Sequence, residues 1–387
     1  IPLLELSQCL AGYGFKITLV NAQLNEDRIR NAPGLKMEGD TELDTSSFKK
    51  KGIKRAAFCS AAAAMLVQGF SIPKLIEDGI IDKKACNWHI IEFFISGIPT
   101  KMQTIMLSPT MPAINTAQLV WACLGIMNSQ KLFFSLMVKN NQSMKLTDWL
   151  QCNSAYELEP GAFNLAPHII PIGPLVASNR LGDSISSHHN HSFFLLFGSS
   201  NVLSLTQFQE LALGLDLTNR PFLWVAKPDI TNGTTNAFFQ EFKDRVRPQD
   251  KIVTWAPQQN VLAHPSVACF VSHCGWNSVI EGVCNGVPFL CWPYFADQFF
   301  NQSYICDIWK VGLGFNKDGN GIITRGEIKN KVDQLLSYEE FKATPLELKK
   351  TVVNSTKEGG SSYQNFKRFI EWIKAYVVYF TTITICI

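Results

Sequence analysis

The sequence lacks any run of about 18 consecutive apolar residues, the length a membrane-crossing helix needs, and the closing AYVVYFTTITICI is too short for one. It also lacks a charge excess. Thirty-five Lys and Arg face 32 Asp and Glu, a net charge of +3 with 17% of residues charged and no dense basic stripe. That balance argues against nucleic acid or an acidic membrane surface as a partner and favours small molecules. No CxxC pair is present. Eleven cysteines, an odd number scattered from Cys9 to Cys386, read as reduced, packed thiols in a cytoplasmic protein. No GxGxxG follows any apolar strand pattern, which removes a dinucleotide dehydrogenase. Neither a methionine nor a strand precedes the opening helical pattern IPLLELSQCL, so the first βαβ unit is expected to begin before Ile1.

What is present is core material. With 387 residues and 46% apolar content, the length favours two domains. IPLLELSQCLAGYG reads as a helix stopped near Gly12 and Gly14, and FKITLVNA as the strand after it. Residues 25–54 are polar and without period, a loop or a place where segments have been lost. RAAFCSAAAAMLV reads as a strand running into an Ala-rich helix, and the aromatics from Phe70 to Phe134 are core candidates. LAPHIIPIGPL and the polar SNRLGDSISSHHNH mark a boundary. The expected units are 1–175, a linker 176–192, a second domain 193–374 and an apolar tail 375–387 of unassigned role. His188, His189 and His191 lack companions at ligand spacing and read as solvated linker. Beyond the linker, FFLLFGSS, PFLWVA, KIVTW, ACFVS and VPFLCWP read as strands, with helices at Ser204 to Leu217 and NSVIEGVC between them. Such alternation predicts a parallel, doubly wound sheet, whose ligands sit at the carboxyl ends of the strands.

SHCGWNS stands at one of those ends. A strand, a glycine and a helix start leave backbone N–H groups open to an anion, usually phosphate. Gly275 permits close approach, Asn277 and Ser278 can cap the helix or point at phosphate oxygens, and His273 can donate to an oxyanion. Taken alone, the turn reads first as the capped helix of an ordinary α/β domain, since such turns recur in every doubly wound sheet. Its neighbours add chemistry. Trp255, after a strand and stiffened by Pro257, can stack on a base, with Gln258 close by; Glu281 can accept two ribose hydroxyls; Asp297 and Gln298 suit the rim of a hexose.

Trp255 through Gln298 resembles, nearly letter for letter, the donor-binding signature of the plant secondary-product UDP-glycosyltransferases, WAPQxxVLxHxxVxxFxxHCGWNSxxExxxxGVPxxxWPxxxDQ. The likeness extends through SIPKLIEDGIID, QTIMLSPTMPA, LEPGAF, IIPIGPL, FGSS and GIITRGEIKNKV. It implies an α/β GT-B fold of two Rossmann-like doubly wound domains, the N-terminal one incomplete here, with the donor in the C-terminal domain. By matched position, Trp255 would stack on uracil, Ala256 contact it through its backbone, Gln258 and Glu281 hold the ribose, and His273, Asn277 and Ser278 the diphosphate. Trp276 would contact the sugar and phosphate region, Asp297 and Gln298 would bind glucose hydroxyls, and Ser199 is a further diphosphate candidate. The final Gln298 goes with UDP-glucose rather than UDP-galactose as co-substrate. No cofactor and no metal are expected, because the helix start and His273 meet the leaving-group charge.

The resemblance implies inverting transfer to a small hydrophobic hydroxyl, phenolic, flavonoid or terpenoid, with a histidine base oriented by an aspartate. That histidine would fall just before Ile1, and the space for the aspartate holds only TELDTSSFKK, in which Asp44 is no match. A further gap is read at HHNHSFFLLFGSS. Two expectations follow: a glucosyltransferase with impaired turnover, or a nucleotide-sugar-binding relic without a base. His89 is a weak substitute base, and His168 and His264 read as surface or core residues. NKDGNGIITRGE mimics a calcium loop, with Asn316, Asp318, Asn320, Gly321, Ile323 and Glu327 at its spacing. It lacks a first carboxylate and a paired loop, whereas Thr324 and Glu327 fit a capping box for a helix bearing Ile328, Val332, Leu335 and Leu336.

Overall fold

The computed structural model describes residues 2–20, 54–82, 97–124, 127–176, 192–196, 203–226, 233–376 and 382–386. Ser199, Asp44, His89, His188, His189 and His191 lie outside the described residues, as do 177–191 of the linker.

Helix α1 (Pro2–Gly12) buries Leu6 and Leu10, and Gly14, at φ 88°, turns the chain into β1 (Lys16–Val20). Strand β2 (Ala56–Cys59) feeds the Ala-rich α2 (Ala63–Phe70), then α3 (Ile72–Glu77) and an antiparallel pair, β3 (Thr104–Ile105) and β4 (Ile114–Asn115). Helix α4 (Met127–Met144), β5 (Trp149–Cys152), α5 (Pro160–Leu165) and β6 (Ile169–Pro171) complete this half. Strands β2, β5 and β6 form a parallel sheet in that order.

Among the described residues, the second half forms a six-stranded parallel sheet. Its strands are β7 (Ser192–Leu196), β8 (Phe222–Val225), β9 (Lys251–Val253), β10 (Val267–Ser272), β11 (Phe289–Cys291) and β12 (Gly312–Gly314), ordered β12-β11-β10-β7-β8-β9. Helices α6 (Leu205–Thr218), α7 (Gly233–Arg245), α8 (Gln258–Leu262), α9 (Trp276–Asn285) and α10 (Gln298–Ser303) connect them. Strand order reverses between β7 and β10, which pair from Val267 with Ser192 to Ser272 with Leu196. A crevice for ligands opens beyond the carboxyl ends at such a switch point, and the SHCGWNS turn leaves β10 there.

Local chemistry explains the helix limits. The Ser204 hydroxyl accepts the Gln207 N–H at the start of α6, which buries Phe208, Leu211 and Leu215 and stops at Asn219 in the left-handed region. The Thr324 hydroxyl likewise accepts the Glu327 N–H to open α11 (Arg325–Ser337). The Glu327 carboxylate turns to the backbone and side-chain amides of Asn316 rather than back to Thr324, while Asp318 Oδ1 accepts the N–H groups of Asn320 and Ile322. The calcium-like spacing thus serves a self-closing turn. In α9, Gly282 lies so close to β11 that an added Cβ would sit 2.3 Å from Phe289 Cζ. Gly282→Ala is therefore expected to cost about 1–3 kcal/mol by overpacking, read as a lowered denaturation midpoint.

Two more helices, α12 (Glu340–Thr356) and α13 (Ser361–Tyr376), precede β13 (Thr382–Cys386). Helix α13 returns to the first half, where Phe369, Ile370 and Ile373 share an apolar cluster with Leu6, Leu10, Phe15 and Ile172. The apolar tail supplies β13, which runs parallel to β1 with Lys16 opposite Thr382. No described helix is long and apolar enough to cross a membrane. The nine cysteines whose side chains are described are all free thiols.

Candidate functional site

The carboxyl ends of β9, β10 and β11 bring the sequence candidates to one side of the sheet. Helix α9 opens at Gly275 without a side-chain cap, and the first helical bond is from the Val279 N–H to the Gly275 carbonyl. The earlier N–H groups of the turn are left for an anion. Asn277 is exposed there, Ser278 is buried, and His273 is half-buried. Gly275 has a local reason to be glycine: a Cβ would stand 2.4 Å from His273 Nε2. The preceding residue, Cys274, adopts φ 64°, rare for a side chain with a Cβ and the kind of strain held at functional turns.

A second cluster joins α8 to α9. Gln258 Nε2 donates to Glu281 Oε2 at 2.6 Å and to Ser278 Oγ at 3.1 Å, and Gln259 Nε2 donates to Glu281 Oε1 at 3.0 Å. The carboxylate is thus oriented by two amides at the edge of the anion seat. Trp255 stands beside them with 72% of its surface exposed, an uncovered indole of the kind that stacks on a planar partner. Ala256, next in the chain, packs partly into the core.

The third cluster follows β11. Gln298 Oε1 accepts the N–H groups of Tyr294 (2.8 Å) and Phe295 (3.1 Å), which fixes the amide so that its nitrogen is the end left to donate. Asp297 accepts from Asn301 Nδ2 at 2.8 Å, and burial pushes its carboxyl above the usual range against the pull of that bond. Ala296, at φ 55°, offers its carbonyl to the Cys123 thiol of the first half at 3.5 Å.

The Trp276 side chain has a different placement. Its ring is buried, 6.2 Å from that of Trp309, and its indole N–H donates to the Asn153 carbonyl at 2.8 Å. It joins the two halves from inside, leaving its backbone N–H on the helix start. Trp309 makes a similar bond to the Leu158 carbonyl at 2.9 Å. His168 lies against Phe70 beside a 430 Å³ crevice that also includes Met144 and Leu150, and His264 accepts the Ser266 N–H on an exposed turn. Sequence reasoning missed Gln259, Asn301 and Asn153. The first was signalled by the doubled glutamine of WAPQQ, the second by its place one helical turn after Asp297.

Comparison with known proteins identifies the family. The pattern of the UDP-glucoronosyl and UDP-glucosyl transferase family matches residues 194–351, which carry all three clusters. UDP-glycosyltransferase 83A1 of Arabidopsis thaliana is 44% identical over 349 residues, 85% of this chain and 70% of that protein. The chain belongs to the plant UDP-glycosyltransferases. A second member, 7-deoxyloganetin glucosyltransferase of Catharanthus roseus, is 28% identical over 85% of this chain and 71% of its own length. Phytolacca americana UGT2, solved in complex with UDP-2fluoro-glucose and pterostilbene, superposes with a TM-score of 0.69 at 25% identity, covering 85% of this chain and 73% of that one. Os79 of O. sativa shares the fold, with a TM-score of 0.65 at 21% identity over 96% of this chain and 80% of that one. This plant UDP-glycosyltransferase therefore has the GT-B architecture and is a glycosyltransferase.

Proposed function

We propose that the donor is UDP-glucose and that the acceptor is a hydroxyl of a small hydrophobic plant metabolite, phenolic, flavonoid or terpenoid. The second half, 193–374, would hold the donor and the first half, 1–175, the acceptor. Trp255 stacks on uracil, with the Ala256 backbone at its edge. Gln258 and Glu281 hold the ribose. His273, Asn277, Ser278 and the N–H groups around Gly275 and Trp276 receive the diphosphate. The observation that carries the hexose assignment is the fixed polarity of the rim: the Gln298 amide can only donate there, and the Asp297 carboxylate can only accept. A sugar hydroxyl that does both fits between them.

In the transfer, the acceptor oxygen bonds to the anomeric carbon as the bond from that carbon to the diphosphate oxygen breaks. UDP leaves with the electron pair, and the acceptor proton passes to a base. The amides at the head of α9 and His273 meet the charge on the departing diphosphate. Of the other described histidines, His168 lies against Phe70 and His264 accepts the Ser266 N–H on an exposed turn.

Titration calorimetry with UDP, UDP-glucose and UDP-galactose, followed by incubation with a flavonol panel, tests both donor and acceptor. Absence of heat for UDP sinks the donor assignment, and tighter binding of UDP-galactose than UDP-glucose sinks the choice of sugar. Binding without product marks the chain as a nucleotide-sugar-binding relic. Trp255→Ala is expected to weaken UDP binding by roughly tenfold, since stacking a base on an aromatic ring contributes about 1–3 kcal/mol. Calorimetry of that variant checks it, and its thermal midpoint should hold because the indole is exposed.

A further inference from the structure

Asn301 lies one turn into α10, beyond the last fixed position of the donor signature, and is fully buried. Its single amide nitrogen donates to two groups, the Cys274 carbonyl at 2.9 Å and Asp297 Oδ2 at 2.8 Å. With acceptors at both hydrogens, the amide can point only one way. We propose that Asn301 is a positioning residue that locks the hexose-binding carboxylate to the diphosphate-binding turn, so that sugar and leaving group share one geometry. The inference rests on the donor-site reading above and deepens it.

Three observations support that role over a packing role. First, the two groups that Asn301 joins belong to different strand ends, after β10 and after β11, and no covalent constraint sets their separation. Second, Cys274 is the left-handed residue of its turn, and its other polar groups are also held: its N–H donates to Ser272 Oγ at 3.1 Å and its thiol to the Ser272 carbonyl at 3.4 Å. Asn301 supplies the remaining tether. Third, Asn301 Oδ1 is buried and meets no donor among the described residues. A buried acceptor left unsatisfied is costly, so what holds the amide in place is the pair of bonds from its nitrogen to Cys274 and Asp297.

The consequence for Asp297 is specific. Asn301 occupies Oδ2 and directs the other carboxylate oxygen to the sugar, while favouring the ionised form against burial. Among the described residues, Asp297 itself acts on two thiols, Cys59 at the end of β2 and Cys123 on the turn Ala122–Leu124. Burial pushes them up to about 12 and about 11, so neither changes charge between pH 5 and pH 8.

The test compares Asn301→Ala and Asn301→Asp with the unaltered chain by calorimetry, titrating UDP and UDP-glucose from pH 5 to pH 8. For Asn301→Ala the affinity gained from the sugar, taken as the ratio of the two dissociation constants, should fall on the order of tenfold at pH 7. The pH below which that gain disappears should rise, because Asp297 then holds its proton to higher pH. Asn301→Asp should lose more, since a second carboxylate faces the first. Should Asn301→Asp fail to fold, Asn301→Ala carries the comparison. An unchanged ratio and pH profile overturns the proposal, as does equal weakening of UDP and UDP-glucose, which marks a merely structural prop. An unaltered chain that gains nothing from the sugar overturns the donor-site reading and this inference together, a result visible without any variant.

Discussion

Glu281→Ala is expected to weaken UDP binding about 100-fold. The carboxylate is held by Gln258 and Gln259 with one oxygen each, at 2.6 Å and 3.0 Å, and shares the Gln258 amide with the Ser278 hydroxyl near the head of α9. A ribose diol offers two donors to such an acceptor, and hydrogen bonds to a charged group contribute about 1.5–3 kcal/mol each. Two of them, discounted for water that replaces them in the variant, give about 3 kcal/mol, or two decades in the dissociation constant. The sharper readout is selectivity. The unaltered chain should prefer UDP over 2′-deoxy-UDP, and Glu281→Ala should bind the two alike. Equal binding of the two nucleotides by the unaltered chain removes Glu281 from the ribose.

The second large effect lies at Glu159, outside the donor site. Helix α2 begins after Ala62, which provides no side-chain cap. Its cap comes from 96 residues away in the chain: Glu159 accepts the N–H groups of Ala63 at 2.9 Å and Ala64 at 2.8 Å, and the Ser154 hydroxyl at 2.6 Å. Glu159→Ala leaves three buried donors without an acceptor, at about 1–3 kcal/mol each. Stability at pH 7 should fall by about 3–5 kcal/mol, a drop in the thermal midpoint on the order of 10 °C.

A pH signature separates this role from simple loss of volume. Burial raises the Glu159 carboxyl from 4.5 to about 6, with the three hydrogen bonds opposing it. Between those values the folded chain binds more protons at this group than the unfolded chain does. Its contribution therefore favours folding at low pH and is lost as pH rises through about 6, to a total near 2 kcal/mol. Cys59, Cys152 and Tyr304, which feel this carboxylate, are all pushed up by burial and stay neutral across that window. Denaturation curves at pH 4.5 and 6.5 should show this downward contribution in the unaltered chain and not in Glu159→Ala. An identical pH dependence in both counts against the buried carboxylate as its source.

The features legible in the sequence were those whose cause is local. The Ser204 and Thr324 caps, the strand alternation after residue 192 and the TWAPQ, SHCGWNS and ADQ stretches each carry their chemistry within a few residues. The helices α7 and α12 were not read, their more polar stretches giving no strong period, and α13 was not read although Phe366, Phe369, Ile370 and Ile373 stand at helical spacing. Long-range partners were equally hidden. Asn301 reaches back 27 residues to the Cys274 carbonyl, and Trp276 reaches 123 residues to the Asn153 carbonyl. A tryptophan at a helix start reads as a ligand contact or as core with equal ease, and only the fold places its ring inside.

The return of α13 to the bed of Leu6, Leu10 and Ile172 bears on autonomy. Neither half can be excised as a free-standing piece: a cut before Ser361 strips the first half of its apolar cover and leaves the second without its final helix. The halves are thus laced together by the chain itself, and any widening of the cleft between them must bend this lacing rather than separate a pair of independent bodies.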